Sequence, residues 1–291
     1  NLAEKYIVEI YSINPLESWK EIHPENKAEA LSKHIMAFHG YSQKAVIFGG
    51  FYGSGFTDNI SAKTWLWDEN EWLNPAFPDW PDLRDRHQHN MAYDGVRHEI
   101  ILFGYDGTWK WKDNGWEKIF PATEPSPRYH HAMTFDSNRN RIILYGGFLD
   151  GSSDESGLLN DMWVWDGSNW LQLHPETNPG ESHDLLMAYD RILDEAVLLK
   201  DGQETWIWDG KEWELKTSGL IAEKLTGAAM TWHGGLQKIV LYGKSFNETD
   251  NKMFTWNGVS WDETVIPGAS PEGRQFHAGC YNPTEKFMIL Y

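Results

Sequence analysis

The sequence predicts an all-β protein: one β-propeller domain over residues 1–291, with six blades of four antiparallel strands, the sixth assembled from the two chain ends. Three observations carry this. An aromatic hairpin recurs five times, two strand-like runs precede each copy, and the chain ends supply two half-blades.

The hairpin reads Thr64-Trp65-Leu66-Trp67-Asp68, Thr108-Trp109-Lys110-Trp111, Met162-Trp163-Val164-Trp165-Asp166, Thr205-Trp206-Ile207-Trp208-Asp209 and Met253-Phe254-Thr255-Trp256-Asn257. Five residues after the last aromatic of each stands another tryptophan: Trp72, Trp116, Trp170, Trp213 and Trp261. Turn pairs such as Asp166-Gly167, Asp209-Gly210 and Asn257-Gly258 lie between, the strongest short-range hairpin signal. Upstream, the apolar runs 45–50, 100–104, 142–147, 196–199 and 239–243 read as strands buried on both faces. Before each run comes another strand with a recurring core: Met36-Ala37-Phe38, Met91-Ala92-Tyr93, Met133-Thr134-Phe135, Met187-Ala188-Tyr189 and Met230-Thr231-Trp232. The central tryptophans, from Trp67 to Trp256, stand 44, 54, 43 and 48 residues apart, the length of a propeller blade.

The ends complete the count. Residues 275–291 supply a first and second strand, and residues 6–10 and 18–22 a third and fourth, with Trp19 in place of the hairpin's last tryptophan. Blade six is thus 1–22 plus 275–291, with a loop at 12–17. Such sharing closes the ring and removes exposed sheet edges.

Charge and composition narrow the partners. With 25 Lys+Arg against 43 Asp+Glu the formal charge is -18, and no basic run reverses the field, which argues against nucleic acid and anionic membrane surfaces. Cys280 is the only cysteine, so an intrachain disulfide and a cysteine-based zinc site are excluded. No apolar stretch is long enough to span a bilayer, so no membrane insertion is expected. A monomeric domain is expected. The first residues lack a signal-peptide pattern, and the missing initiator Met leaves a removed signal open; a secreted or cell-surface place is favoured over a cytoplasmic one.

The chain resembles the kelch repeat family, also found in the central domain of galactose-oxidase-like proteins, over nearly its whole length. The family's diglycine follows the second strand as Gly49-Gly50 and Gly146-Gly147, is reduced to Gly104-Tyr105 and Gly243-Lys244, and is lost at Lys200-Asp201. The Pro-Arg pair that opens the first strand is Pro127-Arg128, with Arg86 and Arg274 as looser versions. WD40 repeats fit less well, since Trp-Asp here opens a hairpin that closes on another Trp and no Gly-His pair precedes it. Of 17 tryptophans, 15 fall in the repeat frames and read as blade-to-blade packing; only Trp80 and Trp232 fall outside.

Candidate site residues lie on one face. The second-to-third-strand loops 51–63, 148–161 and 244–251 and the interblade loop 74–86 all emerge there, whereas the other face carries short hairpins. The first strands begin on that face. His34, His89, His131 and His277 each stand two residues before the strand core, with Leu185 and Ala228 at that position in blades four and five. Arg86, Arg128 and Arg274 each stand three residues before a His. One reading makes each Arg-x-x-His a packing device that hydrogen-bonds the neighbouring blade. The other makes it part of a ligand site, and the kelch resemblance implies that arginines there recognise acidic groups, with Trp80 or Tyr52 covering an apolar part. Bidentate pairing to a carboxylate suits arginine.

The expected function is a non-catalytic recognition module for an acidic peptide, protein or saccharide on the long-loop face. The alternative is an enzyme resembling sialic-acid mutarotases, with Arg and His at the channel mouth binding an acidic sugar and shuttling protons. No cofactor or metal is expected. The adjacent Cys280-Tyr281 pair does not fit the copper centre of galactose-oxidase-like proteins. Blades about 10 Å apart bring histidines to one ion only with inward tilt. The acidic residues Asp150, Asp154, Glu155 and Asp161 read as a solvated loop without calcium-loop spacing. No phosphate loop, nucleophile elbow or Ser/His/Asp pattern occurs. Asn59-Ile60-Ser61 and Asn247-Glu248-Thr249 match glycosylation sequons.

Overall fold

The paired tryptophans form the hairpins that their spacing requires. Trp67 stands opposite Trp72, Trp111 opposite Trp116, Trp165 opposite Trp170, Trp208 opposite Trp213 and Trp256 opposite Trp261, each pair across a tight turn. Their rings meet at 5.3 to 5.5 Å between centroids, so every hairpin is clamped by one cross-strand aromatic pair. The computed structural model describes residues 10–13, 20–28, 31–52, 59–68, 70–75, 89–112, 115–149, 155–218, 225–245, 251–265 and 277–291.

The fold is an all-β propeller of four-stranded antiparallel blades. Sheet one is Ile35–His39, Lys44–Phe48, Thr64–Trp67 and Trp72–Leu73; sheet two is Asn90–Asp94, Glu99–Gly104, Gly107–Lys112 and Gly115–Lys118. Sheet three is Ala132–Asp136, Arg141–Leu149, Leu158–Trp165 and Trp170–Leu173, with Arg128–Tyr129 added beside the second strand. Sheet four is Leu185–Asp190, Glu195–Lys200, Glu204–Trp208 and Trp213–Ser218, and sheet five is Leu225–His233, Lys238–Ser245, Asn251–Trp256 and Trp261–Thr264. A further sheet joins the two chain ends in the order Lys20–Ile22, Ile10–Ile13, Phe287–Leu290, Gly279–Asn282, with Tyr11 opposite Leu290. The first strands touch in cyclic order, from sheet one through sheet five to the terminal sheet and back to sheet one.

The second strands are buried almost throughout, because each is flanked on both faces by a neighbouring sheet. An aromatic at the end of such a strand is wedged into the next sheet. Phe48 meets His89 at 5.2 Å and Trp116 at 5.1 Å, and Phe103 meets His131 at 5.7 Å and Trp170 at 5.5 Å. Tyr145 meets Trp213 at 5.2 Å, with Leu185 at the histidine position, and Tyr242 meets His277 at 5.6 Å. Tyr291 of the terminal sheet meets His34 at 5.3 Å and Trp72 at 4.9 Å in the same way. A second contact crosses each junction where the third strand offers threonine: the indole N–H groups of Trp116, Trp170 and Trp261 donate to Thr64, Thr108 and Thr205 of the preceding sheet, at 2.8 to 2.9 Å. Where Met162 replaces threonine, the Trp213 N–H is buried without a partner among the described residues.

Three expectations change in detail. The third strand of the terminal sheet takes in Ser12 and Ile13, expected in a loop, because they pair with Ile289 and Met288; residues 6–9 and Trp19 lie outside the described residues. In sheet three the strands run on to Leu149 and resume at Leu158, so 148–149 and 158–161, expected in a loop, are strand residues, and Asp161 belongs to a strand rather than a solvated acidic loop; residues 150–154 lie outside the described residues. Over sheet one, Phe51–Tyr52 pairs with Asn59–Ile60 in a two-stranded ribbon.

Trp165, 1% exposed, lies in the cluster that joins sheets two and three, with Phe103, Met133 and Leu144. Trp165→Ala is expected to cost about 3–5 kcal/mol as a large-to-small core change, read by urea unfolding; a loss under about 1 kcal/mol would show that the ring is not part of the junction.

Candidate functional site

The first strands surround a central channel of about 890 Å³, lined by residues from all five internal sheets and the terminal one. Its long-loop mouth is formed where these strands begin, with Lys33, His34, His89, His130, His131, His183, Asp184 and His277; its short-turn mouth is formed where they end.

The expected histidines line the channel with their rings turned into the junctions. All eight ring nitrogens of His34, His89, His131 and His277 are buried, and each ring stands edge-on to an aromatic of the preceding sheet. A ring-aromatic contact to the preceding sheet is the device that recurs at all four histidines. The diglycine makes room for it: Gly50 and Gly147 have φ of +96° and +99°, and a Cβ there would stand 2.9 Å from the Cβ of His34 or His131.

Burial sets the histidines' charge. It brings the His34 pKa down to about 4, against the opposing effect of the nearby Tyr291 and Leu31 backbone. Burial likewise holds His131 well below the ordinary value, helped by Arg128, His89 and His130. Neither of its ring nitrogens meets a hydrogen-bond partner among the described residues. Both rings are therefore neutral near pH 7, so this part of the mouth carries no histidine cations.

Arg128 is wholly buried, and its guanidinium is occupied. It forms a two-pronged pair with Asp161, with Nη2 2.8 Å from Oδ2, and also donates to the carbonyls of Ser126 at 3.0 Å and Gly146 at 3.2 Å. Trp163 adds its indole N–H to Asp161 at 2.7 Å. Burial raises the Asp161 carboxyl, but the bonds and charge of Arg128 and the Trp163 bond outweigh it and hold it below the ordinary range. Arg128 thus ties the start of sheet three to that sheet's third strand, with no donor pair left for a ligand. Arg86, Arg274 and Trp80 lie outside the described residues, and Tyr52 sits in the ribbon over sheet one.

At the opposite mouth the structure assembles residues that the repeat pattern had assigned only to strand cores. Phe38, Tyr93, Phe135, Tyr189, Trp232 and Tyr281, one from each sheet, line the channel near its short-turn end, together with Arg191. The signal was present in the Met-x-aromatic repeat, which places the third residue of each core at one height of the ring.

No family model matches the chain, and no curated protein matches it. Among solved structures the chain is similar to the SapL1 lectin in complex with alpha methyl fucoside, with TM-score 0.55 and 13% identity over 87% of this chain and 86% of that one. The fold is a β-propeller. A likeness at 13% identity extends no further than that. YCF48 bound to D1 peptide aligns with TM-score 0.48 and 15% identity over 88% of this chain and 73% of that one.

His34 makes stability depend on pH in a definite direction. Its folded pKa of about 4 lies below its ordinary 6.5, so the unfolded chain takes up the proton first and stability falls as pH drops from 6.5 toward 4. The share of this one group is about 2–3 kcal/mol. Unfolding midpoints at pH 7 and pH 4.5 are expected to differ less in His34→Gln than in the wild type, and an equal difference would refute the neutral, buried ring.

Proposed function

We propose that the chain is a six-bladed propeller of the kelch type, with the terminal sheet as its sixth blade, and that it acts as a non-catalytic recognition module for an acidic peptide or saccharide on the long-loop face. The observation that carries the binding reading is the open channel of about 890 Å³ held between sheets that are locked to one another by buried aromatics. A rigid scaffold with a preformed concave opening suits recognition. The cyclic contacts of the first strands and the seating of Tyr291 against His34 and Trp72 support the sixth blade. The role of Gly50 and Gly147 in admitting His34 and His131 supports the kelch reading. The fucoside-bound SapL1 lectin is compatible with a saccharide as the ligand.

The acidic preference rests on Arg86 and Arg274, which share the sequence register of Arg128 three residues before a histidine. Arg128 is spent on Asp161, so these two carry the reading. The test is calorimetric titration with a polyglutamate peptide and an oligogalacturonate, beside neutral polyglutamine and maltooligosaccharide. An Arg86→Ala/Arg274→Ala variant is expected to lose about 2–5 kcal/mol of binding to the acidic ligand while keeping its melting temperature. Unchanged affinity in the double variant, or equal binding of the neutral ligands, would contradict the assignment.

A further inference from the structure

The turns that end the first strands are built alike. Each opens on a buried cap whose side chain accepts amide bonds from residues two or three farther on: Asp94 from Val96 and Arg97, Asp190 from Ile192 and Leu193, Asn282 from Thr284 and Glu285, and His39 and His233 through Nδ1 from Ser42 and Leu236. The residue after the cap is Gly40, Gly95, Ser137, Gly234 or Pro283 in five sheets. The reason is visible at the rim. The Tyr93 ring comes within 3.1 Å of where a Gly40 Cβ would stand, and the Tyr281 ring within 2.8 Å of the same point on Gly234, so the aromatic of the next sheet closes over these two turns. In sheet four that position is Arg191, and the aromatic at the corresponding register of sheet five is Trp232.

Arg191 stands exposed at the channel mouth, where it lines the cavity with Tyr189, Trp232 and Tyr281. Every other described arginine is committed to a carboxylate: Arg97 to Asp94, Arg128 to Asp161, Arg139 to Asp136 and Asp194, Arg141 to Asp136. Arg191 makes no hydrogen bond or ion pair among the described residues. The acids nearest in sequence are already engaged. Asp190 holds the turn amides at 2.9 and 3.0 Å, and Asp194 is bound by Arg139 at 2.8 Å and by the Tyr189 hydroxyl. Although the side chain reaches solvent, the surrounding rim partly desolvates the guanidinium and lowers its pKa against the opposing influence of Tyr281 and Tyr189, and it still stays charged at any physiological pH. An uncommitted guanidinium beside aromatic walls, in a chain of formal charge -18, is the chemistry of a carboxylate site with a flat apolar floor.

We propose that the short-turn mouth binds a small ring-bearing carboxylate, with Arg191 taking the carboxylate and the Tyr189, Trp232 and Tyr281 side of the rim covering the ring. This site lies at the end of the channel where the first strands finish, and it does not depend on the long-loop reading. The test titrates wild type and Arg191→Gln with benzoate and D-glucuronate, and with benzamide and D-glucose as uncharged counterparts, by calorimetry and saturation-transfer NMR. At least one acid is expected to bind the wild type with a dissociation constant of about 10 mM or tighter, at least ~10-fold better than its uncharged counterpart. Arg191→Gln is expected to weaken it by ~10-fold or more with the melting temperature unchanged, because the side chain makes no bond to the fold. The Arg86→Ala/Arg274→Ala variant is expected to bind the same acid as the wild type does. The inference is overturned if neither acid binds, if Arg191→Gln binds it equally, if the uncharged counterpart binds as well, or if the double variant alone loses binding.

Discussion

The contact on which the structure depends is an aromatic side chain at the end of a second strand, pressed between a fourth-strand tryptophan and a first-strand residue of the next sheet. Phe48, Phe103 and Tyr291 each make both contacts, and Tyr145 and Tyr242 each make one with a ring. The aromatic is attached to a strand buried on both faces, so moving it would disturb two interfaces together. Sheet spacing and channel width follow from its size. The threonine hydroxyls that accept the tryptophan N–H groups fix the same junctions in orientation.

This packing assigns the polar residues in and behind the channel wall to different tasks. A histidine beside the wedge must surrender its nitrogens to the interior, which removes its positive charge and suits it to filling the junction. Arg128 is drawn inward by Asp161, and the pair joins strands of one sheet; losing either partner would leave a buried charge uncompensated. Arg191 escapes both fates: it follows the Asp190 cap on an exposed turn and makes no ion pair among the described residues. Two arginines from one chain thus serve as strut and as available cation, separated by whether a carboxylate lies within reach.

Much of the architecture was legible because a duplicated unit repeats its errors as well as its rules. Five tryptophan hairpins at blade spacing, with turn pairs between them, left little freedom in strand order. The edges were less legible. Ser12 and Ile13 look like loop residues on their own and become a strand only through their register with Ile289 and Met288, and the extended strands of sheet three reflect pairing past Tyr145 that apolar pattern does not encode. The site was read only in part. His34, His89, His131 and His277 do line the channel, but whether a polar side chain faces the opening or the junction depends on packing across sheets. Asp161 could not be matched with Arg128, 33 residues away, without knowing that Leu158–Trp165 is one strand. Arg191 was readable in principle, since aligning the six turns leaves it as the one long side chain among Gly40, Gly95, Ser137, Gly234 and Pro283.

The closure of the ring by the same aromatic contact that joins its internal sheets is the claim on which the channel and both of its mouths rest. It is tested most directly by comparing the urea unfolding of Tyr291→Ala with that of Phe48→Ala. A single cooperative transition is expected in both, with a comparable loss of about 3–5 kcal/mol, since both rings sit between a tryptophan and a histidine of the next sheet. A Tyr291→Ala loss below about 1 kcal/mol beside a full loss in Phe48→Ala would mean that the terminal sheet does not lock onto sheet one.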